Sequence, residues 1–121
     1  MNHQVVTAVE RSVARRADEF VQALANVIAV PSVNPSYDPS STEEAAQRTL
    51  AGILAGWGIE SRLWEPVPAD LVDFQDEAAA RRPSFAGRPN LEARLGEDNG
   101  GRSLILNSHI DVVGITAGER W

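Results

Sequence analysis

The chain has 121 residues, 43% of them hydrophobic, with no cysteine and a formal net charge of −6. That length is one small domain or part of a larger one, and the hydrophobic share excludes a disordered composition. The acidic balance argues against a nucleic-acid surface, and the missing cysteines exclude disulfides, thiolate metal sites and cysteine nucleophiles.

Met1 to Phe20 carries Glu10, Arg11, Arg15, Arg16, Asp18 and Glu19, too much charge for a signal peptide. No apolar run approaches the roughly 18 residues of a membrane span. A soluble, cytoplasmic protein with no membrane partner is the expectation.

The first predicted element is one amphipathic helix from about Thr7 to Ala29. Val9, Val13, Ala17, Phe20, Val21, Leu24 and Ile28 recur mostly at steps of three and four, which is the helical period. The stripe is expected to lie against a core, with Arg11, Arg15 and Arg16 on a solvated face. Pro31 stops the helix, since it disfavours helical geometry in the residue before it. Val30 to Pro35 is then a rigid extended or turned segment, continued as loop to Ser40.

A second helix starts at Ser40 or Ser41, with two possible capping boxes, Ser40 with Glu43 and Ser41 with Glu44. Its stripe is Ala46, Leu50, Ile53, Leu54 and Trp57, and Gly58 suits a left-handed cap. Glu43 and Glu44 are accounted for by capping and the helix dipole rather than by a metal.

Ile59 to Trp64 alternates as a strand, which completes an αβ unit. Glu65 to Pro89 reads as an irregular insertion with a short helix ended by Pro83. Asp70, Asp73, Asp76 and Glu77 within it have no histidine beside them and read as a solvated acidic face. Leu91 to Leu95 is the next strand, with Leu91, Ala93 and Leu95 on one face. Gly96 to Gly101 contains the Asn-Gly pair of hairpin turns, which predicts an antiparallel partner in Ser103 to Ser108.

That last strand carries the chemistry. The apolar run Leu104-Ile105-Leu106 gives way to Asn107-Ser108-His109-Ile110-Asp111. In extended chain His109 and Asp111 point to one side, roughly 6.5–7 Å apart at Cα. Strand ends are where open α/β sheets place their ligand chemistry. An imidazole and a carboxylate on one face serve as a metal ligand with its partner, or as a general base with its orienting group. A hydrogen-bonded structural pair is the competing reading of the same residues. Only two or three strands accompany two helices, as in the first part of a larger α/β domain with a mixed sheet.

Ser108-His109-Ile110-Asp111-Val112-Val113 resembles the first metal motif, Ser/Gly-His-x-Asp-x-Val, of the co-catalytic zinc aminoacylase and carboxypeptidase family. That family includes acetylornithine deacetylase, succinyl-diaminopimelate desuccinylase and glutamate carboxypeptidase. Ile28-Ala29-Val30-Pro31-Ser32-Val33-Asn34-Pro35 is similar to the family's helix exit. Gly87-Arg88-Pro89-Asn90-Leu91 looks like the start of its hairpin, especially in the acetylornithine deacetylase branch. Gly118-Glu119-Arg120-Trp121 resembles the run to a Trp after the motif. The ordered set spans about Ala17 to Trp121.

The resemblance implies that residues 1–121 are the N-terminal part of a catalytic domain, a partial three-layer α/β structure with a mixed sheet flanked by helices. It implies that His109 binds one of two zinc ions and that Asp111, as the catalytic partner, fixes the imidazole tautomer. Cobalt or manganese would accept the same ligand types. The implied reaction is hydrolysis of an amide next to a carboxylate, in a small N-acyl amino acid or peptide, by a metal-bridging water. The implied full-length parent is a homodimer.

The sequence departs from the family by omission. The Gly-x-x-Asp-x-Lys-Gly stretch, the Glu-Glu pair and the further ligands are missing, as is the dimerisation domain. His3 is the only other histidine and is read as tag-like or solvated. A catalytic zinc usually takes three protein ligands, so the isolated chain is expected to be inactive. The alternative is a non-catalytic binding or pairing module derived from that fold. A nucleotide-binding domain finds no support, because no Gly-x-Gly-x-x-Gly or P-loop pattern follows a strand.

Overall fold

The computed structural model describes residues 3–69, 85–97 and 100–114. Within them the chain is a mixed α/β structure: α1 (His3–Arg15), α2 (Ala17–Ile28), α3 (Glu44–Gly56), β1 (Ser61–Trp64) and β2 (Asn90–Ala93). The insertion helix expected between Glu65 and Pro89 falls mostly on 70–84, outside the described residues, as do Gly118 to Trp121.

The single long helix expected from Thr7 to Ala29 is instead two. They are separated at Arg16, whose φ of −108° and ψ of 12° leave the helical region. Neither Gly nor Pro marks the break. The exposed Arg16 guanidinium lies 5.2 Å from the centre of the Phe20 ring and 5.5 Å from that of Trp57. It also pairs with Glu19 at 2.7 Å. Phe20 and Trp57 meet edge to face at 5.7 Å, a favoured aromatic geometry, and this seats α2 on α3. Arg16 is exposed, as expected of a solvated face, and adds a cation–π contact to both rings.

The apolar stripe of the first two helices is not covered. Val9, Val13, Val21, Leu24 and Ile28 are all more than half exposed. The half-buried positions of these helices are Val6, Thr7, Ser12, Ala23 and Val27, which lie beside that stripe rather than on it.

The third helix follows its sequence closely at one end. Its C-terminus is a Schellman motif: Ile59 N–H donates to Leu54 O at 2.9 Å and Gly58 N–H to Ala55 O at 3.0 Å. Gly58 has φ +73°, a conformation that glycine adopts without penalty. Ala46 is fully buried, and Leu50, Ile53, Leu54 and Trp57 are half-buried, as the stripe requires. At the other end neither capping box forms. Glu43 is the N-cap, with no side-chain capping bond. Ser40 is held by Asp38, through its N–H at 3.0 Å and its hydroxyl at 2.7 Å. Glu43 turns inward to Arg88.

The two strands pair antiparallel, with Ser61 opposite Ala93, Arg62 opposite Glu92, Leu63 opposite Leu91 and Trp64 opposite Asn90. Arg62 and Glu92 form a cross-strand ion pair at 2.7 Å on the exposed side, the arrangement expected of opposed charges. Leu63 and Leu91 face inward together, but Ala93 and Leu95 are exposed. The one-faced burial expected over Leu91–Leu95 holds only at its start.

The hairpin partner expected in Ser103–Ser108 is a correction. β2 pairs with β1, and residues 103–108 form no strand. Leu104, Ile105 and Leu106 are 81%, 87% and 88% exposed. A continuous apolar strand is stable only when both its faces are covered, and no described element covers this one. A mixed sheet and three layers are accordingly not seen among the described residues.

Candidate functional site

The His-x-Asp stretch is held not by a sheet but by a clamp from the segment between Pro31 and Pro35. Val112 N–H donates to Ser32 O at 3.0 Å, and Asn34 N–H donates to Val112 O at 2.8 Å. Val33 and Val112 thereby make an isolated parallel bridge. The Ser32 hydroxyl donates to Ile110 O at 2.8 Å, and Ser32 is buried. Proline fixes φ at both ends of the clamp and confines the residues before it to extended geometry. The clamp therefore offers its donors and acceptors at little further entropic cost.

On this support His109 and Asp111 lie together, though on a segment that forms no strand. The Nδ1 atom of His109 lies 3.0 Å from the main-chain oxygen of Asp111 and 3.3 Å from its Oδ1. Both neighbours are acceptors, an arrangement that suits a hydrogen on Nδ1. Asp111 Oδ2 accepts from Asn34 Nδ2 at 2.8 Å. The Asn34 amide hydrogen bond, with the nearby His109 as a lesser contributor, holds the Asp111 carboxyl below its usual range, against the opposing effect of burial. His109 is 85% exposed at its side chain, and Asp111 32%.

The pair opens onto a cleft of about 420 Å³ whose far wall is built by Glu43, Gln47, Arg88 and Asn90. Glu43 and Arg88 tie the start of α3 to the approach to β2. The Arg88 Nε–H is shared between both carboxylate oxygens, at 2.9 and 2.8 Å. Their side chains are 5% and 20% exposed. Next to them Gly87 has φ +74°, and a Cβ there would sit 3.1 Å from Thr42 Cγ2. Its N–H donates to Glu65 Oε1 at 2.7 Å. The Gly87-Arg88-Pro89 run thus packs at close range under the cleft.

Asn34, Ser32 and the Glu43–Arg88 pair were not singled out as site residues in the sequence. Glu43 read as a capping residue, and Asn34 as part of a helix exit. Nothing short of the contact between segments 77 residues apart identifies Asn34.

His109 and Asp111 fit one metal ligand and its orienting carboxylate. Among the described residues, no group of three or more His, Asp or Glu side chains is placed to hold a metal ion. His3 lies exposed in α1, away from the pair in sequence. The described residues therefore place one imidazole, that of His109, at the cleft. No helix among them is long and apolar enough to cross a membrane.

No protein-family model, no curated protein and no solved structure gives a significant match to the chain.

Proposed function

We propose that the chain is the N-terminal part of a metal-dependent amidohydrolase, acting on the amide of a small N-acyl amino acid or peptide next to a carboxylate. One observation carries this reading: Nδ1 of His109 faces two oxygens of Asp111, at 3.0 and 3.3 Å. That leaves Nε2 as the donor atom, on a side chain open to the cleft. His109 would hold one ion of a zinc pair (or cobalt or manganese), and Asp111 would keep the imidazole neutral, oriented and basic. The metal centre, when complete, supplies an activated water and polarises the amide carbonyl. Within this chain the work is orientation: the clamp sets Asp111, and Asp111 sets His109. The remaining ligands, a three-layer catalytic domain, a homodimeric parent and a cytoplasmic setting belong to the same reading.

The test is to read the open frame that follows Trp121 and to express the whole of it. The expected result is a downstream Gly-x-x-Asp-x-Lys-Gly stretch and Glu-Glu pair, with zinc- or cobalt-dependent release of acyl groups that His109→Ala abolishes. A complete frame without further His or carboxylate ligands, or full activity in His109→Ala, overturns it.

A second reading has its own support. The apolar surface of α1 and α2 and of Leu104–Leu106 suits a non-catalytic module that pairs with another polypeptide. A monodisperse, cooperatively unfolding 121-residue chain from a frame that closes at Trp121 favours the module.

A further inference from the structure

The exposed imidazole of His109 raises a physical question. A side chain 85% exposed has no packing to fix its ring, so its orientation and tautomer rest on hydrogen bonds alone. Nδ1 faces the nearby main-chain oxygen of Asp111 at 3.0 Å and its Oδ1 at 3.3 Å, and only the carboxylate contact runs back to a residue far away in sequence.

The Asn34 amide has a settled orientation. Its Oδ1 accepts from Ser36 N–H at 2.9 Å. A backbone N–H can only donate, so the oxygen is the atom facing Ser36 and the NH2 group must face Asp111. Its main-chain N–H is tied to Val112 O at 2.8 Å, and Pro35 restricts the backbone of Asn34. The amide is thus anchored on three sides before it reaches the carboxylate.

Asp111 receives that amide on Oδ2 at 2.8 Å and presents Oδ1 to His109 Nδ1 at 3.3 Å. A carboxylate turns readily about its last torsion. With Oδ2 pinned, Oδ1 has one place to be. The chain of contacts runs Ser36, Asn34, Asp111, His109, and each link fixes the next.

We propose that Asn34 is the positioning residue of the His109 centre: its side-chain amide holds the Asp111 carboxylate so that the ring proton sits on Nδ1 and Nε2 is the electron-pair donor. The proposal goes one link deeper than the function proposed above and rests on His109 being the residue that presents a donor to a ligand. Asn34 is not among the residues that line the cleft. It acts through Asp111, and its presence in the Ser32–Asn34 clamp makes the clamp part of the site rather than a connection between helices.

The test is a long-range hydrogen–nitrogen NMR correlation on the metal-free 121-residue chain at about pH 8.5, above the ordinary imidazole range. It reads the tautomer of His109 directly. Asn34→Asp keeps the oxygen facing Ser36 and the main-chain bond but replaces the donor with a second carboxylate oxygen; Asn34→Ala removes the side chain. In both, the ratio of Nδ1–H to Nε2–H tautomer is expected to fall roughly threefold or more. Arg48→Met, in an exposed ion pair on α3 outside the clamp, leaves the ratio unchanged. An unchanged ratio in both Asn34 variants, an equal fall in Arg48→Met, or an Nε2–H tautomer in the parent chain overturns the proposal. Zinc added to the parent sample addresses the other reading separately. No perturbation of Nε2 sinks His109 as a ligand, while the metal-free tautomer data still decide the role of Asn34.

Discussion

The pair of Glu43 and Arg88 offers a test of the fold whose size follows from its burial. At 2.8 Å and an effective dielectric near 20, the attraction is about 6 kcal/mol. Removing two ions from water takes back most of this. With side chains 5% and 20% exposed, the pair lies between fully buried pairs and surface pairs, and a net coupling of about 2 kcal/mol results. The neighbouring pair of Glu44 and Arg48, 40% and 67% exposed at 2.6 Å, is an internal control expected to couple by no more than about 0.5 kcal/mol. The perturbation is a double-mutant cycle of Glu43→Gln and Arg88→Met, with the same cycle on Glu44 and Arg48. Unfolding in urea, followed by circular dichroism, reads each variant. Glu43→Gln alone leaves the Arg88 guanidinium without its carboxylate and should lower the midpoint by about 1–2 M, given slopes of about 1–3 kcal/mol per molar urea. A coupling below about 0.5 kcal/mol for Glu43 and Arg88, or equal couplings in the two cycles, would refute the burial argument.

Three further outcomes are expected. Gly58→Ala should cost about 1 kcal/mol, since φ is +73° with open space around it, while Gly87→Ala should cost more because its Cβ would also press on Thr42 at 3.1 Å; equal costs in urea would contradict this. Asp38 is held below the ordinary carboxyl value chiefly by the Ser40 hydroxyl and then by the Ser40 N–H. The folded state therefore binds its proton less readily than the unfolded state, and the stability this contributes is present above the unfolded value near 3.8 and lost as pH falls through the lower folded value. Ser40→Ala should move the Asp38 midpoint in a carbon-detected titration upward, and no upward movement refutes the assignment. Ile105→Asp, at a position 87% exposed, should shift stability by less than about 0.5 kcal/mol while reducing binding of an apolar dye; a large loss of stability would mean that Ile105 is buried in solution.

The sequence is most readable where the information is local. Gly58 after an apolar stripe announced the end of α3, and the Schellman bonds to Ala55 and Leu54 follow. The alternation around Leu63 and Leu91 located both strands, because a period of two is written in adjacent residues. The His-x-Asp spacing is local too, and its two side chains lie 3.3 Å apart. What failed was long-range or context-dependent. Asn-Gly between two apolar runs suggested that Leu91–Leu95 would pair with the next run, but β1 took that edge. The first helix breaks at Arg16, whose guanidinium meets two aromatic rings, one of them that of Trp57, the C-cap residue of α3, a contact the local pattern does not contain. Glu43 makes no capping-box bond with Ser40 and pairs instead with Arg88, 45 residues on. Asn34 could be placed at the site only by seeing which segment crosses beneath Asp111.

The bridge from Val33 to Val112 has a kinetic consequence. It joins residues about 80 positions apart, and closing a flexible loop of that length costs about 4 kcal/mol of chain entropy beyond a constant. The helices and the β1–β2 ribbon recover part of this by shortening the effective loop. The hydrogen bonds of Ser32 and Asn34, about 1 kcal/mol each, must supply the rest. The clamp is therefore among the last contacts to form and the first to open. Amide exchange at Val112 and Asn34 should run ahead of that in α3. The His109 geometry exists only for as long as the two distant ends of the chain remain in register.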